Sequence, residues 1–452
     1  LELHIKKVGN VDGTDDHGTH DNSTVHDGRH GAVAVSNWNT PLQTLSGISG
    51  VQLKLDWLDV IEEQDDRCIN VWLKQYGQLI SHFTGRVVVS EDRLKLRELA
   101  EAAAPCRAID LTISHPASQV IDLADLLPVA DSLQRLACKL TSDELGSVRG
   151  ASSLNSMSQL TSLLLLAEDL QDGEPWGVLS RLTNVQQLGL RVRASGDPSP
   201  LSALTRLSFL IMMPYPDMEA HGPAPFSLSS LQPLSTLRQL EVLDLNSCAC
   251  AATSLQGLAG LSKLTQLTIS CPAFQPSRLR SLEGISPGVM SFFLLSAPDL
   301  VSLAGIEACT SMIELTLANC GVHSLQPLRG LASLNNIMLH SCSVTSLEGI
   351  YGLSLRTLIV IRCSSLTQLS GVEHLSSLNR LEVEDCGCVT SLQPLSQLGE
   401  GLQKLVVKEC SAVQEEVLEL PHVKPTAGVV VESSNVKEVV LAGGVRRDVG
   451  TS

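Results

Sequence analysis

Apolar residues in this chain fall on a spacing that belongs to neither a plain helix nor a plain strand: an aliphatic residue at i, i+3 and i+5, then a cysteine at i+8. Five copies stand in near-register at Met312/Leu315/Leu317/Cys320, Leu334/Ile337/Leu339/Cys342, Leu355/Leu358/Val360/Cys363, Leu378/Leu381/Val383/Cys386 and Leu402/Leu405/Val407/Cys410, 21 to 24 residues apart. A fixed period of this length predicts a repeat array in which each unit supplies one short parallel strand that cannot bury its apolar face alone. Upstream the anchors continue at Leu160/Leu163/Leu165, Val185/Leu188/Leu190, Leu207/Leu210/Met212, Leu240/Leu243/Leu245 and Leu264/Leu267/Ile269, then less cleanly from Met290 to Leu295. The step from Leu207 to Leu240 is 33 residues, and Pro214, Pro216, Pro223 and Pro225 mark the excess as an extruded loop.

Between the strands a second pattern recurs: Ser-Leu-Gln-Pro-Leu at 230, 324 and 391, and Ser-Leu-x-Gly at 254, 281, 302 and 346. Leucine supplies an inward anchor, while proline at the first turn and glycine at a tight bend suit a short helical segment. Only about a dozen residues remain for each return, so 3₁₀ turns are expected there instead of long helices. Nearer the N-terminus the spacing becomes helical over Ile69 to Phe83 and again over Arg93 to Ala104, with strands expected near Arg86 to Val89 and Ile109 to Ile113. Further anchors stand at Cys106/Ile109/Leu111 and Leu133/Leu136.

These patterns divide the chain into four stretches. Residues 1–40 are rich in Gly, Asp and His without periodicity and read as disordered. A cap with helix-containing repeats follows over 41–130, then the repeat array over 131–415. A closing cap over 416–452 has its strand at Val436/Val439/Leu441.

These residues resemble the leucine-rich repeat superfamily, most closely its short-repeat class of SDS22-like and internalin-like proteins. The resemblance implies an α/β solenoid: a curved array with a parallel concave sheet and a short 3₁₀ or loop convex side. It also implies recognition of another macromolecule without catalysis. Where the family usually has asparagine this chain mostly has cysteine, similar to the cysteine-containing repeats of F-box partner proteins. The L-P-x-E-like opening of an F-box is missing from Val51 to Gln64.

Composition narrows the partner. With 48 acidic against 32 basic residues the formal charge is −16, which argues against nucleic acid, since that binding rests on clustered Lys and Arg. No apolar run approaches the length of a membrane span. Six of the 13 cysteines (Cys248, Cys320, Cys342, Cys363, Cys386, Cys410) share one repeat position, where a thiol acts as a small inward filler. That use fits a reducing compartment, hence a cytoplasmic or nuclear location. Stacked strands also bring ladder thiols within the span that a disulfide tolerates. The chain begins at Leu1, which leaves open a targeting segment ahead of it.

Candidate chemistry lies on the outward sheet positions, because strand side chains alternate faces. Over the five coils these read Thr316, Met338, Ile359, Glu382, Val406 and, two residues later, Ala318, His340, Ile361, Glu384, Lys408. Met338, His340, Ile359 and Ile361, flanked by Arg356, Arg362, Arg380, Glu382 and Glu384, have the makeup of an interface core with a polar rim. Phe209, Ile211 and Met213 beside the proline-rich loop form a second candidate. No catalytic set appears. His17-Gly-Thr-His20 resembles the histidine box of subtilisin-like proteases by coincidence, since the separate Asp box and serine box are missing. His4, His17, His20, His26 and His30 lack ligand spacing, and Cys248-Ala-Cys250 and Cys386-Gly-Cys388 are too close for a metal knuckle. Neither metal nor cofactor is expected. The sequence thus predicts a monomeric, non-enzymatic scaffold binding a protein partner. The alternatives are an adaptor recruiting a ubiquitin ligase or phosphatase, and a surface or adhesion receptor.

Overall fold

The computed structural model describes residues 2–6, 31–34, 52–57, 70–71, 73–88, 94–115, 120–140, 147–169, 175–193, 199–212, 227–246, 249–271, 276–432 and 435–449. They fall into two compact units, Leu1–Gly196 and Asp197–Ser452.

In the second unit the i, i+3, i+5 anchors generate a ladder of parallel strands. In order these are Phe209–Met212, Val242–Asn246, Gln266–Ser270, Ser291–Ala297, Glu314–Cys320, Asn336–His340, Thr357–Ile361, Arg380–Glu384, Lys404–Lys408 and Gly428–Glu432. The register keeps like with like: Leu315 stands beside Ile337, then Leu358, Leu381 and Leu405, and Leu317 beside Leu339, Val360, Val383 and Val407. All ten of these side chains are buried. Most returns carry a 3₁₀ turn, among them Gln232–Thr236, Gln256–Leu258, Gln326–Leu328, Glu348–Ile350 and Gln393–Gln397, whereas the one with Ser281-Leu-Glu-Gly284 makes only simple turns over 276–290. Their leading serines explain the Ser-Leu motif: the hydroxyls of Ser230, Ser324 and Ser391 accept from the backbone N–H of Gln232, Gln326 and Gln393 at 3.1, 3.2 and 3.1 Å. Each bond satisfies a donor that a short helix leaves without a partner.

In the first unit the parallel order is Gly31–Ala34, Glu2–Lys6, Gln52–Trp57, Ile80–Val88, Ile109–His115, Leu133–Leu140, Ser162–Asp169 and Gln187–Arg193. Two of these strands lie in the stretch read as disordered, each a short apolar alternation at an end of it. The remainder of that stretch, with His17, His20, His26 and His30, lies outside the described residues, as do 58–69, Met213 to Phe226 and Gly450 to Ser452. The helix Leu94–Ala103 matches its sequence pattern and buries Leu96, Leu99, Ala100 and Ala103. The one expected over Ile69 to Phe83 does not run its length. Helical residues reach 76, a 3₁₀ turn covers Gly77–Leu79, and Ile80 already opens the next strand. Ile80 and Phe83 are the strand's own three-spaced anchors, and that spacing is indistinguishable from a helical i, i+3 pair.

In the stretch read as a closing cap the expected strand forms, in a sheet of its own. Glu438–Leu441, expected as the last strand, pairs with Val417–Leu420 and Val445–Asp448 in a separate small sheet, and the main ladder ends at Gly428–Glu432. The run Gly428-Val-Val-Val-Glu432 lacks the leucine anchors that reveal the other strands.

Coil-to-coil approach is closest at the returns. A Cβ on Gly349 would lie 2.0 Å from the carbonyl carbon of Leu325, whereas one on Gly330 would meet nothing within 4 Å. Gly349→Ala is therefore expected to lower stability by about 2 kcal/mol or more through overpacking. Gly330→Ala should leave stability unchanged or raise it by about 0.5 kcal/mol. Paired thermal melts of the two variants check this contrast.

Candidate functional site

Three outward columns run along the ladder of the second unit. The first contains Glu314, Asn336, Thr357, Arg380 and Lys404; the second Thr316, Met338, Ile359, Glu382, Val406 and Val430; the third Ala318, His340, Ile361, Glu384, Lys408 and Glu432. The register therefore brings the predicted residues Met338, His340, Ile359, Ile361, Arg380, Glu382 and Glu384 together on one face. Arg356 stands just before its strand and Arg362 just after it.

Accessibility within that set is uneven. Met338 is 38% exposed, but Ile359 is only 7% and Glu382 7% exposed, and Val406 is buried as well. Alternation fixes which face a side chain takes; its exposure depends on neighbours about 4.8 Å away on each adjacent strand and on the flanking columns. Ile359 stands in register between Met338 and Glu382, and it is withdrawn from water. The solvent-facing apolar contribution thus comes from Met338, the half-buried Ile361 and Val430, the last of which is 38% exposed.

Glu382 is the electrostatic centre of this face. Its carboxylate accepts from Arg380 Nη2 at 2.9 Å and Lys404 Nζ at 2.6 Å. Burial works to raise its pKa, but the hydrogen bonds and charges of Arg380 and Lys404 outweigh it and hold the group below the usual glutamate range. Further along the strands Arg362 pairs with Asp385 at 3.4 Å and Lys408 with Glu432 at 3.1 Å. Lys404 and Val430 were not among the sequence candidates. Lys404 precedes Leu405 just as Arg380 precedes Leu381, so the repeat register carried the signal.

In the second candidate, Phe209 and Ile211 are half-buried and pair with Val242 and Asp244, while Met213 lies outside the described residues. Burial raises the Asp244 carboxyl pKa against a lowering hydrogen bond from the Asn246 backbone, and its Oδ1 is buried with no hydrogen-bond partner. In the first unit, His82 Nε2 lies 3.0 Å from Asp110 Oδ2, with Arg135 Nε at 3.7 Å from the same oxygen. No local pattern in the sequence links these three residues, which stand about one long repeat apart. Among the described residues no group of three or more His, Cys, Asp or Glu is arranged to hold a metal ion.

The cysteine column is buried and stands two residues past the third outward column, where the chain leaves the sheet. Each thiol sits after a residue with left-handed backbone: Asn319, Ser341, Arg362, Asp385 and Glu409, with φ of 52 to 54°. The thiols of Cys320, Cys342 and Cys386 donate to the carbonyl two residues back at 3.4, 3.5 and 3.4 Å. Cys342 also reaches the previous coil at Leu317 O, 3.4 Å away. The Cys320–Cys342 contact holds Cys320 down and pushes Cys342 up to about 12; burial pushes Cys386 to about 12. None of the described cysteines is disulfide-bonded, and Cys388 alone among them is exposed. Cys248, assigned to this column from sequence, lies outside the described residues.

The sequence profiles of known families do not match this chain, and neither does any curated protein sequence. Solved structures do. A leucine-rich repeat protein of Leptospira interrogans superposes with a TM-score of 0.50 at 15% identity, over 80% of this chain and 90% of that one. An internalin of Listeria monocytogenes gives a TM-score of 0.47 at 17% identity, over 75% of this chain and 88% of its own. The fold is that of a leucine-rich repeat array. No helix among the described residues is long and apolar enough to cross a membrane.

Two outcomes are expected. Brief alkylation of the native protein at mildly alkaline pH should modify Cys388 and spare Cys320, Cys342, Cys363, Cys386 and Cys410, as peptide mass spectrometry would show. Because the folded pKa of Glu382 is depressed, its stabilisation is complete above the unfolded glutamate value, about 4.3, and is lost as pH falls through the folded value. Thermal melts through that acidic window should therefore fall more steeply for the wild type than for Glu382→Gln.

Proposed function

We propose that this chain is a non-catalytic interaction scaffold that binds a partner protein on the outward sheet face of its second unit. The observation that carries the reading is the juxtaposition of exposed Met338 and half-buried Ile361 with Arg356, Arg362, Arg380, Glu382 and Glu384. An apolar spot ringed by charge is the composition of a protein interface, and here parallel strands hold it rigidly. Recognition would be surface complementarity: many repeat-borne side chains each contribute a little, so ordering costs on this side are small. The inward, filler-like use of Cys320, Cys342, Cys363, Cys386 and Cys410 favours a cytoplasmic or nuclear setting.

The test uses the full chain and a Met338→Glu/Ile361→Glu variant as baits for affinity capture, with partners identified by mass spectrometry. Both positions face outward, so the variant should melt within a few degrees of wild type while a specific partner is lost, a change of about 2 kcal/mol or more in binding. Equal recovery of every partner by the folded variant would remove this face from consideration.

A further inference from the structure

Charge on the outward face of the second unit is polarised. At the N-terminal ends of three consecutive strands stand Arg356, Arg380 and Lys404, all exposed. The other side chains on that edge are Asn335, Asn336, Thr357, Asn379 and Gln403, none of them charged, and the next carboxylate in the first column, Glu314, stands two coils beyond Thr357. Among the described residues the carboxylate paired with this edge is that of Glu382, its single charge shared between Arg380 and Lys404. Two of the three cationic charges are left uncompensated. At the opposite ends of the strands the balance is reversed: Asp385 and Glu432 are paired with Arg362 and Lys408, which leaves Glu384 and Glu409 in excess.

An uncompensated cationic edge on a chain of formal charge −16 is a local feature, not a consequence of composition. Glu382 also makes it rigid. Its nearly buried carboxylate fixes the head groups of Arg380 and Lys404 at 2.9 and 2.6 Å, so both present their remaining N–H donors from set positions. Neighbouring strands are about 4.8 Å apart, which spreads the three cations over about 10 Å, and an extended segment crossing the strands covers that span in about three residues.

Building on the proposed use of this face for protein binding, we infer that the occupant is an acidic, extended segment of a partner protein. It lies across the strands with two carboxylates along the Arg356–Arg380–Lys404 edge and with an apolar side chain on Met338. Like-charge excess at the C-terminal edge, around Glu384 and Glu409, disfavours the same segment laid along that side. The pattern thus selects both the partner's charge and its placement.

The probe is a phage-displayed library of random dodecapeptides, panned at low ionic strength on the full chain and in parallel on two variants. One is Arg356→Glu/Lys404→Gln, which reverses the charge of the edge but keeps the Arg380–Glu382 pair; the other is Met338→Glu/Ile361→Glu. A thermal melt checks that each is folded. The expected pool from wild type is enriched in Asp and Glu beside apolar residues. Its strongest peptide should bind the charge-reversed variant about tenfold or more weakly and lose affinity as salt is raised. A pool enriched in Lys and Arg, a pool without charge preference, or a peptide indifferent to the charge reversal overturns the inference. If peptides of such a pool are still lost on Met338→Glu/Ile361→Glu, the face keeps its binding role and only the acidic occupant is excluded. Binding unaffected by both variants, or no binder at all, overturns both readings.

Discussion

Successive coils of this protein lie backbone against backbone, and that close approach dictates most of its unusual residue choices. At the returns there is no room for a Cβ at Gly257 or Gly349, whose added atom would sit 2.3 and 2.0 Å from the preceding coil. At the strand ends the chain turns through left-handed residues that are not glycine, a conformation costing about 1 kcal/mol or more each. The backbone N–H groups of Ser341, Arg362, Asp385 and Glu409 donate to the carbonyls of Ile361, Glu384, Lys408 and Glu432 at 2.8 to 3.0 Å, so each strained residue ties its coil to the next. Cysteine follows because the space inside that turn is small and bounded by carbonyls that a thiol can approach.

The same stacking determines the character of the outward face. Columns of side chains a strand spacing apart shield one another, so the middle column becomes a second, shallow layer of burial on which Ile359, Glu382 and Val406 are largely withdrawn from water. A carboxylate in that layer requires partners, and Arg380 and Lys404 supply them from the adjacent column. Only the carboxylate is withdrawn from water; the two cations stay half-exposed, so their attraction outweighs its desolvation but is screened by solvent. What it supplies is fixed geometry, which is of use to a recognition surface.

Much of this was legible in the residues. The i, i+3, i+5 spacing placed the strands from Phe209 to Lys408, and the Ser-Leu-Gln-Pro motifs and most of the Ser-Leu-x-Gly motifs placed 3₁₀ returns, the one at 281 giving only a simple turn. Where reading failed, the reason was local ambiguity. Ile80 and Phe83 satisfy helical and strand-anchor spacing equally, and Gly428 to Glu432 has β-branched residues where leucines mark the other strands. The outward positions were legible from strand alternation, among them Arg380 and Glu382; Lys404 and Val430 carry no apolar or charge cluster in their own repeat and stand out only beside the neighbouring coils.

Sequence by itself determined the periodicity, and with it the fold, the inward column of cysteines and the face on which each side chain emerges, because those follow from covalent spacing and the two-residue alternation of a strand. Only the tertiary structure decided how far each emerging side chain stays exposed. It also decided which charges meet across coils and that Glu382 is clasped between Arg380 and Lys404. Those outcomes depend on distances between residues about one repeat apart in the chain, which are set by the packing of whole coils and are written in no local stretch of sequence.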